Sequence, residues 1–149
     1  IDKPSAKQAR THYDKRQSHL TLSAPNIDEE KTKKMFTTWL IRQAKVHMDP
    51  LTMEIAADIS LDNEIQQIRY RRSKSQWGHC TSTGIIQYNP LIALAPTWVM
   101  RYIICHEVCH LRHCNHSKRF WNLVDSICPE RYQAENWLKD NGHRISFDI

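Results

Sequence analysis

The chain has 149 residues, 40% of them hydrophobic and 25% charged, with a formal net charge of +5 and a pI near 9.0. That length suits one compact domain and little more, and the composition is ordinary for a soluble globular protein. No stretch approaches the ~20 apolar residues a membrane span needs, so no membrane partner is expected.

The chain opens Ile1-Asp2-Lys3-Pro4, without an initiating Met or a signal-peptide core, and reads as a chain missing its first residues. Residues 1–25 are polar and basic and read as an extended arm, with one strand at His19–Leu22. Residues 26–149 read as a single domain. Asp28-Glu29-Glu30 opens a helix, because acidic side chains suit the positive end of the helix dipole. Met35, Trp39 and Val46 follow at roughly helical spacing until Pro50 interrupts, and Leu51–Ile59 reads as a second, shorter helix.

Over Ile65–Arg72 the period changes to two, with Ile68 and Tyr70 facing one way and Gln67, Arg69 and Arg71 the other, as on a half-exposed strand. Ser73–Gly84 reads as a polar loop and Ile85–Tyr88 as a short strand closed by Asn89-Pro90. The two strands are expected to form a small antiparallel, hairpin-like unit. Leu91–Leu94 suits one helical turn.

Pro96-Thr97 starts a helix with Thr97 as candidate N-cap, and no Gly or Pro interrupts Trp98–His113. Apolar on most sides, this helix is expected to be central and buried. Ser117 caps a helix containing Phe120, Trp121 and Val124. Pro129 starts a last one, stopped at Asn141-Gly142.

His106-Glu107-Val108-Cys109-His110 is an HExxH pattern inside the central helix. Four residues at ~100° each return nearly to the same face, so the two imidazoles can share one Zn²⁺. Glu107 lies beside that face. There it can take a proton from a water whose pKa the zinc lowers toward ~7. Two histidines and a glutamate are costly to bury in an apolar helix without a partner, and a metal supplies one.

A catalytic zinc needs a third protein ligand and an open position. His116 is the preferred ligand. On a straight helix residues 110 and 116 would face different ways, so the chain must turn before His116. Asn115 tolerates the left-handed conformation such a turn uses. His113 is the rival on the helix end, and Asp125, Glu130 and Glu135 are carboxylate alternatives. Cys105 and Cys109 point off the histidine face and read as small core hydrophobes.

The wider pattern runs from Trp77-Gly78-His79-Cys80 and Gly84 through Asn89-Pro90-Leu91 and Pro96 to the HExxH. It continues with Asn115-His116-Ser117, Phe120-Trp121, Pro129 and Trp137-Leu138. It closely resembles the YgjP-like metallopeptidases, of the WLM and SprT-like group of zincins, over about Asp28 to His143. The resemblance implies an α+β, minimal zincin-like fold, mostly helical, with a small sheet beside the central helix. It implies zinc on His106, His110 and His116, Glu107 as catalytic base, and a protein or peptide substrate. Two departures stand out. His79 replaces the family's usual serine, as a tolerated surface change or as a group facing an oxyanion. The family's longer N-terminal region is at most a remnant here.

Trp77, Trp98, Trp121 and Trp137 read as core and loop anchors, and Arg69 and Arg71 as a solvated strand face. Five cysteines, an odd number with three crowded into ten residues, make a poor disulfide framework and point to a reducing cytosol. The basic residues are scattered, with short clusters at Lys31-Lys33-Lys34 and Arg69-Arg71-Arg72-Lys74, so a nucleic-acid partner is only weakly supported. Two other readings compete with the peptidase. One is a zinc hydrolase of nucleotide phosphoanhydrides, with Arg69–Lys74 holding phosphates. The other is a non-enzymatic zinc-stabilised module, whose closed site would take His79, His113 or a cysteine as fourth ligand.

Overall fold

The computed structural model describes residues 10–14, 19–23 and 28–145. The chain divides into two units, Ile1–Arg42 and Gln43–Ile149.

In the first unit, β1 (Arg10–Asp14) pairs antiparallel with β2 (His19–Ser23), Thr11 opposite Leu22 and Tyr13 opposite Leu20. The strand expected at His19–Leu22 is β2. Residues 1–9, 15–18 and 24–25 of the expected arm lie outside the described residues. The helix α1 (Glu29–Asp58) starts in this unit. The Asp28 carboxylate accepts the Lys31 N–H at 2.8 Å, and Glu29 and Glu30 occupy the first turn.

The expected break at Pro50 does not occur: α1 is one helix of 30 residues with Pro50 inside it. A proline there leaves the carbonyl four residues back, that of Val46, without its N–H partner. Val46 is 68% exposed, so water can satisfy that carbonyl. Meanwhile Ala44, Met48, Ile55 and Ala56, on both sides of the proline, are buried in the core. Burial of one continuous apolar face outweighs the local defect.

The second unit holds a mixed three-stranded sheet of β3 (Gln67–Tyr70), β4 (Gly78–Cys80) and β5 (Ile85–Tyr88), in the order β3-β5-β4. The expected hairpin-like antiparallel pair is corrected here. β3 and β5 run parallel, Ile68 beside Ile86 and Tyr70 beside Tyr88. The segment read as a polar loop contains β4, which pairs antiparallel with β5, Gly78 opposite Tyr88 and Cys80 opposite Ile86. Gly-His-Cys carries no apolar alternation, so the pairing alone makes it a strand.

The sheet is tied to α1 by buried polar contacts. Tyr88, fully buried, donates its hydroxyl hydrogen to Thr52 Oγ1 at 2.9 Å, since Thr52 spends its own on the Met48 carbonyl at 2.7 Å. The Tyr70 hydroxyl donates to Asp49. Asn89 accepts the Leu91 N–H at 3.1 Å and opens a single turn over Pro90–Leu94, at the place the sequence indicates.

Helix α2 (Thr97–Cys109) is the buried central helix that its composition predicts, with Val99, Ile104, Cys105, Val108 and Cys109 at 0% exposure. Its ends differ from the expectation. Pro96 is the N-cap residue, Thr97 is already helical with no side-chain cap, and the helix stops at Cys109, with His110 as C-cap. Ser117 caps α3 (Lys118–Ile127) by accepting the Phe120 N–H at 3.3 Å. The last helix is α4 (Arg131–Asn141), ending at Gly142. Phe120, Val124, Cys128 and Ala134 close the core against α2.

Candidate metal centre

His106 and His110 stand one turn apart at the C-terminal end of α2. His116 lies on the connection to α3. The turn that brings it back does not use a left-handed Asn115: among the described residues Ser60 is the only non-glycine with positive φ. The chain instead leaves the helix through a turn at 110–112 and a bend at 114–115. The three Nε2 atoms converge, His110 to His116 at 3.1 Å and His106 to each of the others at 3.2 Å.

The donor chemistry of this triangle fits a metal. A tetrahedral ion with Zn–N bonds of ~2.0–2.1 Å holds its nitrogens about 3.4 Å apart. The Nδ1–H of His110 donates to the His113 carbonyl at 2.9 Å, which leaves the lone pair of Nε2 facing the other two rings. Burial, then the neighbouring His110 and His116, pushes the His106 pKa down to about 3, and burial also lowers that of His110. Neutral imidazoles are the form that binds metal. Among the described residues no fourth His, Cys, Asp or Glu donor joins the group.

The first turn of α3 backs the triangle. Phe120 stacks on His110 with ring centroids 4.3 Å apart and 22° between planes. Trp121 stacks on His116 at 5.7 Å and 22°. Arg131 lies over the Trp121 ring at 4.5 Å and holds Asp125 at 2.5 and 3.1 Å and Glu135 at 3.3 Å. Glu135 also accepts the Tyr102 hydroxyl at 3.1 Å. These carboxylates, considered as alternative ligands, are therefore engaged with Arg131. His113 contributes its carbonyl rather than its ring.

Glu107 is 5% exposed, and its Oε1 lies 3.8 Å from His106 Nε2. Oε2 is buried with no hydrogen-bond partner among the described residues, and burial pushes the carboxyl pKa up to about 8. Such an orphaned oxygen beside the triangle points to a ligand in the site. The space for the carboxyl depends on Gly78 of β4. A β-carbon there would stand 2.8 Å from Glu107 Cγ and 3.2 Å from Oε1.

A family model for the YgjP-like metallopeptidase domain matches residues 3–141. The chain belongs to the YgjP-like metallopeptidase family. The crystal structure of the metallopeptidase zymogen of Pyrococcus abyssi abylysin is similar. It is 29% identical with a TM-score of 0.51, over 58% of this chain and 88% of that one. Comparison with curated proteins finds no match. Membership makes this YgjP-like chain a peptidase with a metal cofactor, and the histidine triangle is a group that could hold the metal. The α+β fold of four helices and a small sheet agrees with the family, although that sheet is mixed. No described helix is long and apolar enough to cross a membrane.

Several residues near the site escaped sequence reasoning in part. Trp121, read as an anchor, also buttresses His116, and Trp98, read the same way, is 38% exposed. Phe120, Arg131 and Gly78 give no local signal of their contacts with the site. The strand beside α2 is β4. The strand ending near Arg71 is β3, at the opposite edge of the sheet. His79, considered as a group facing an oxyanion, stands exposed on β4, while the Tyr88 hydroxyl is buried on Thr52 and that of Tyr102 donates to Glu135.

Proposed function

We propose that this YgjP-like protein is a zinc-dependent peptidase in which His106, His110 and His116 hold the ion and Glu107 is the catalytic base. The observation that carries the reading is the convergence of three Nε2 atoms within 3.1–3.2 Å beside a buried carboxyl group whose Oε2 has no hydrogen-bond partner among the described residues. Zinc in that site supplies Lewis acidity, lowering the pKa of water toward ~7 and drawing charge onto the carbonyl oxygen. Glu107 takes one proton from the attacking water as the new C–O bond forms. It delivers that proton to the leaving nitrogen as the C–N bond breaks, releasing an amine and a carboxylic acid, which then ionises to the carboxylate.

An extended peptide can add to the free edge of β4, the edge strand packed against α2, through main-chain hydrogen bonds. The five free thiols suit a reducing compartment, the cytosol. The experiment is peptide cleavage by zinc-loaded protein and its Glu107→Gln variant. The variant is expected to keep about one zinc per chain and lose turnover; unchanged turnover would sink the assignment of the base.

A further inference from the structure

A cleft of about 100 Å³ opens beside His110, lined among others by Glu64, Gln66, Thr81, Ser82 and Thr83. Its outer wall is the turn that follows β4, and that wall is preformed. Thr81 N–H donates to the Ile85 carbonyl at 2.9 Å and Gly84 N–H to the Thr81 carbonyl at 3.2 Å. Thr81 Oγ1 accepts the Ile85 N–H at 3.0 Å and bonds Thr83 Oγ1 at 3.0 Å. Gly84 sits at φ 89°, and a β-carbon on it would stand 2.2 Å from the Glu64 carbonyl oxygen. Only glycine lets the turn close onto Glu64 in this way. Gln66 N–H completes the join by donating to the Gly84 carbonyl at 2.9 Å. Glu64 and the hydroxyl-bearing turn are thus locked together around one opening, with a histidine of the metal centre on its inner side.

The lining chemistry is one-sided. Glu64 is the only carboxylate among the described lining residues, and they include no Lys or Arg. Hydroxyls and the Gln66 amide add acceptors that can share the N–H groups of a cation. Thr81 directly follows the last residue of β4, so a peptide laid along that edge passes this opening close to the histidines. We infer that the cleft is a specificity subsite that takes a cationic side chain, Lys or Arg, of the peptide substrate. This rests on the peptidase reading, since the subsite is defined relative to a peptide held on β4. An acidic side chain there would be repelled by Glu64, and an apolar one would leave that carboxylate without an ion-pair partner.

The test uses full-length, zinc-loaded Glu107→Gln protein and short peptides in which one position, moved along the sequence, is Lys, Ala or Glu. Binding is measured by calorimetry. At one position the Lys peptide is expected to bind about fivefold more tightly than its Ala counterpart, the size of one partly desolvated ion pair. Combining Glu64→Lys with the inert background should reverse the order, so that Glu is preferred to Lys. Glu64→Gln, which keeps the side chain's shape, should bring the Lys and Ala peptides level. Equal binding of all three peptides, no binding, or a Lys preference that survives both Glu64 variants would overturn the subsite. Cleavage of the same peptides by the Glu107 protein is scored separately. A Glu64-dependent preference without cleavage keeps the cleft as a site for a cationic side chain of a bound peptide and removes the peptidase reading. Cleavage without preference does the reverse.

Discussion

Gly78 on β4 faces Glu107 on α2 so closely that any β-carbon at position 78 would lie 2.8 Å from Glu107 Cγ and 3.0 Å from Cδ. Carbon atoms do not approach that far without movement. The strand is pinned by its pairing with β5, so the carboxyl is the group that shifts. Gly78→Ala is therefore expected to lower kcat/KM by on the order of 10²-fold while zinc stoichiometry stays near that of the parent. Loss of zinc together with activity would place the fault in the ligands rather than in Glu107.

If the histidine triangle holds zinc as proposed, folding and metal binding form one equilibrium. Removal of zinc by a chelator should lower the melting temperature, and added zinc should restore it, because the ion binds only the folded arrangement. His116→Ala should weaken zinc binding by at least about 10²-fold, more than loss of a residue that merely orients a ligand. His113→Ala, which keeps the carbonyl that accepts from His110 Nδ1, should bind zinc almost as the parent does. A competition assay against a metallochromic indicator separates the three proteins.

Burial raises the Glu107 pKa from 4.5 to about 8, and that has a stability consequence in metal-stripped protein. Between those values the folded chain holds a proton that the unfolded chain has released. Its stability therefore falls as pH rises from about 4.5 to about 8. His106, lowered to about 3, contributes the opposite slope below its ordinary value of 6.5. The clean observable is thus the difference between parent and Glu107→Gln, which lacks the titrating carboxyl. Relative to the variant, the parent should lose a few kcal/mol across that window in urea unfolding. A difference independent of pH would mean the carboxyl is solvated in solution.

Arg131 is buried between the rings of Trp121 and Tyr132 while it holds Asp125 and Glu135. Arg131→Lys keeps the charge but loses the planar fork and the stacking, and should cost about 2 kcal/mol in denaturant unfolding. Because Trp121 stacks on His116, zinc affinity should also fall by about tenfold, the effect of disturbing a ligand's support. A stability loss with unchanged zinc affinity would show that the stack does not orient His116.

The placement of the candidate site was legible in the linear order because helical geometry is local. HExxH in an unbroken apolar segment sets two imidazoles and a carboxylate on adjacent faces of one turn, and Ser117 marks the corner at His116. The family pattern, the buried central helix and the strands at Ile65–Arg72 and Ile85–Tyr88 were legible for the same reason of period and capping. Pro50 misled because a local rule was outweighed by burial of residues on both sides of it. The sheet misled because strand direction and the existence of β4 depend on partners distant in sequence, about which Gly-His-Cys says nothing. Tertiary structure alone decided that Gly78 makes room for Glu107. It alone seated Trp121 and Arg131 behind His116, and joined Glu64 to the turn beside His110. These are contacts between segments whose approach is set by packing the whole core, and no spacing along the chain encodes that distance.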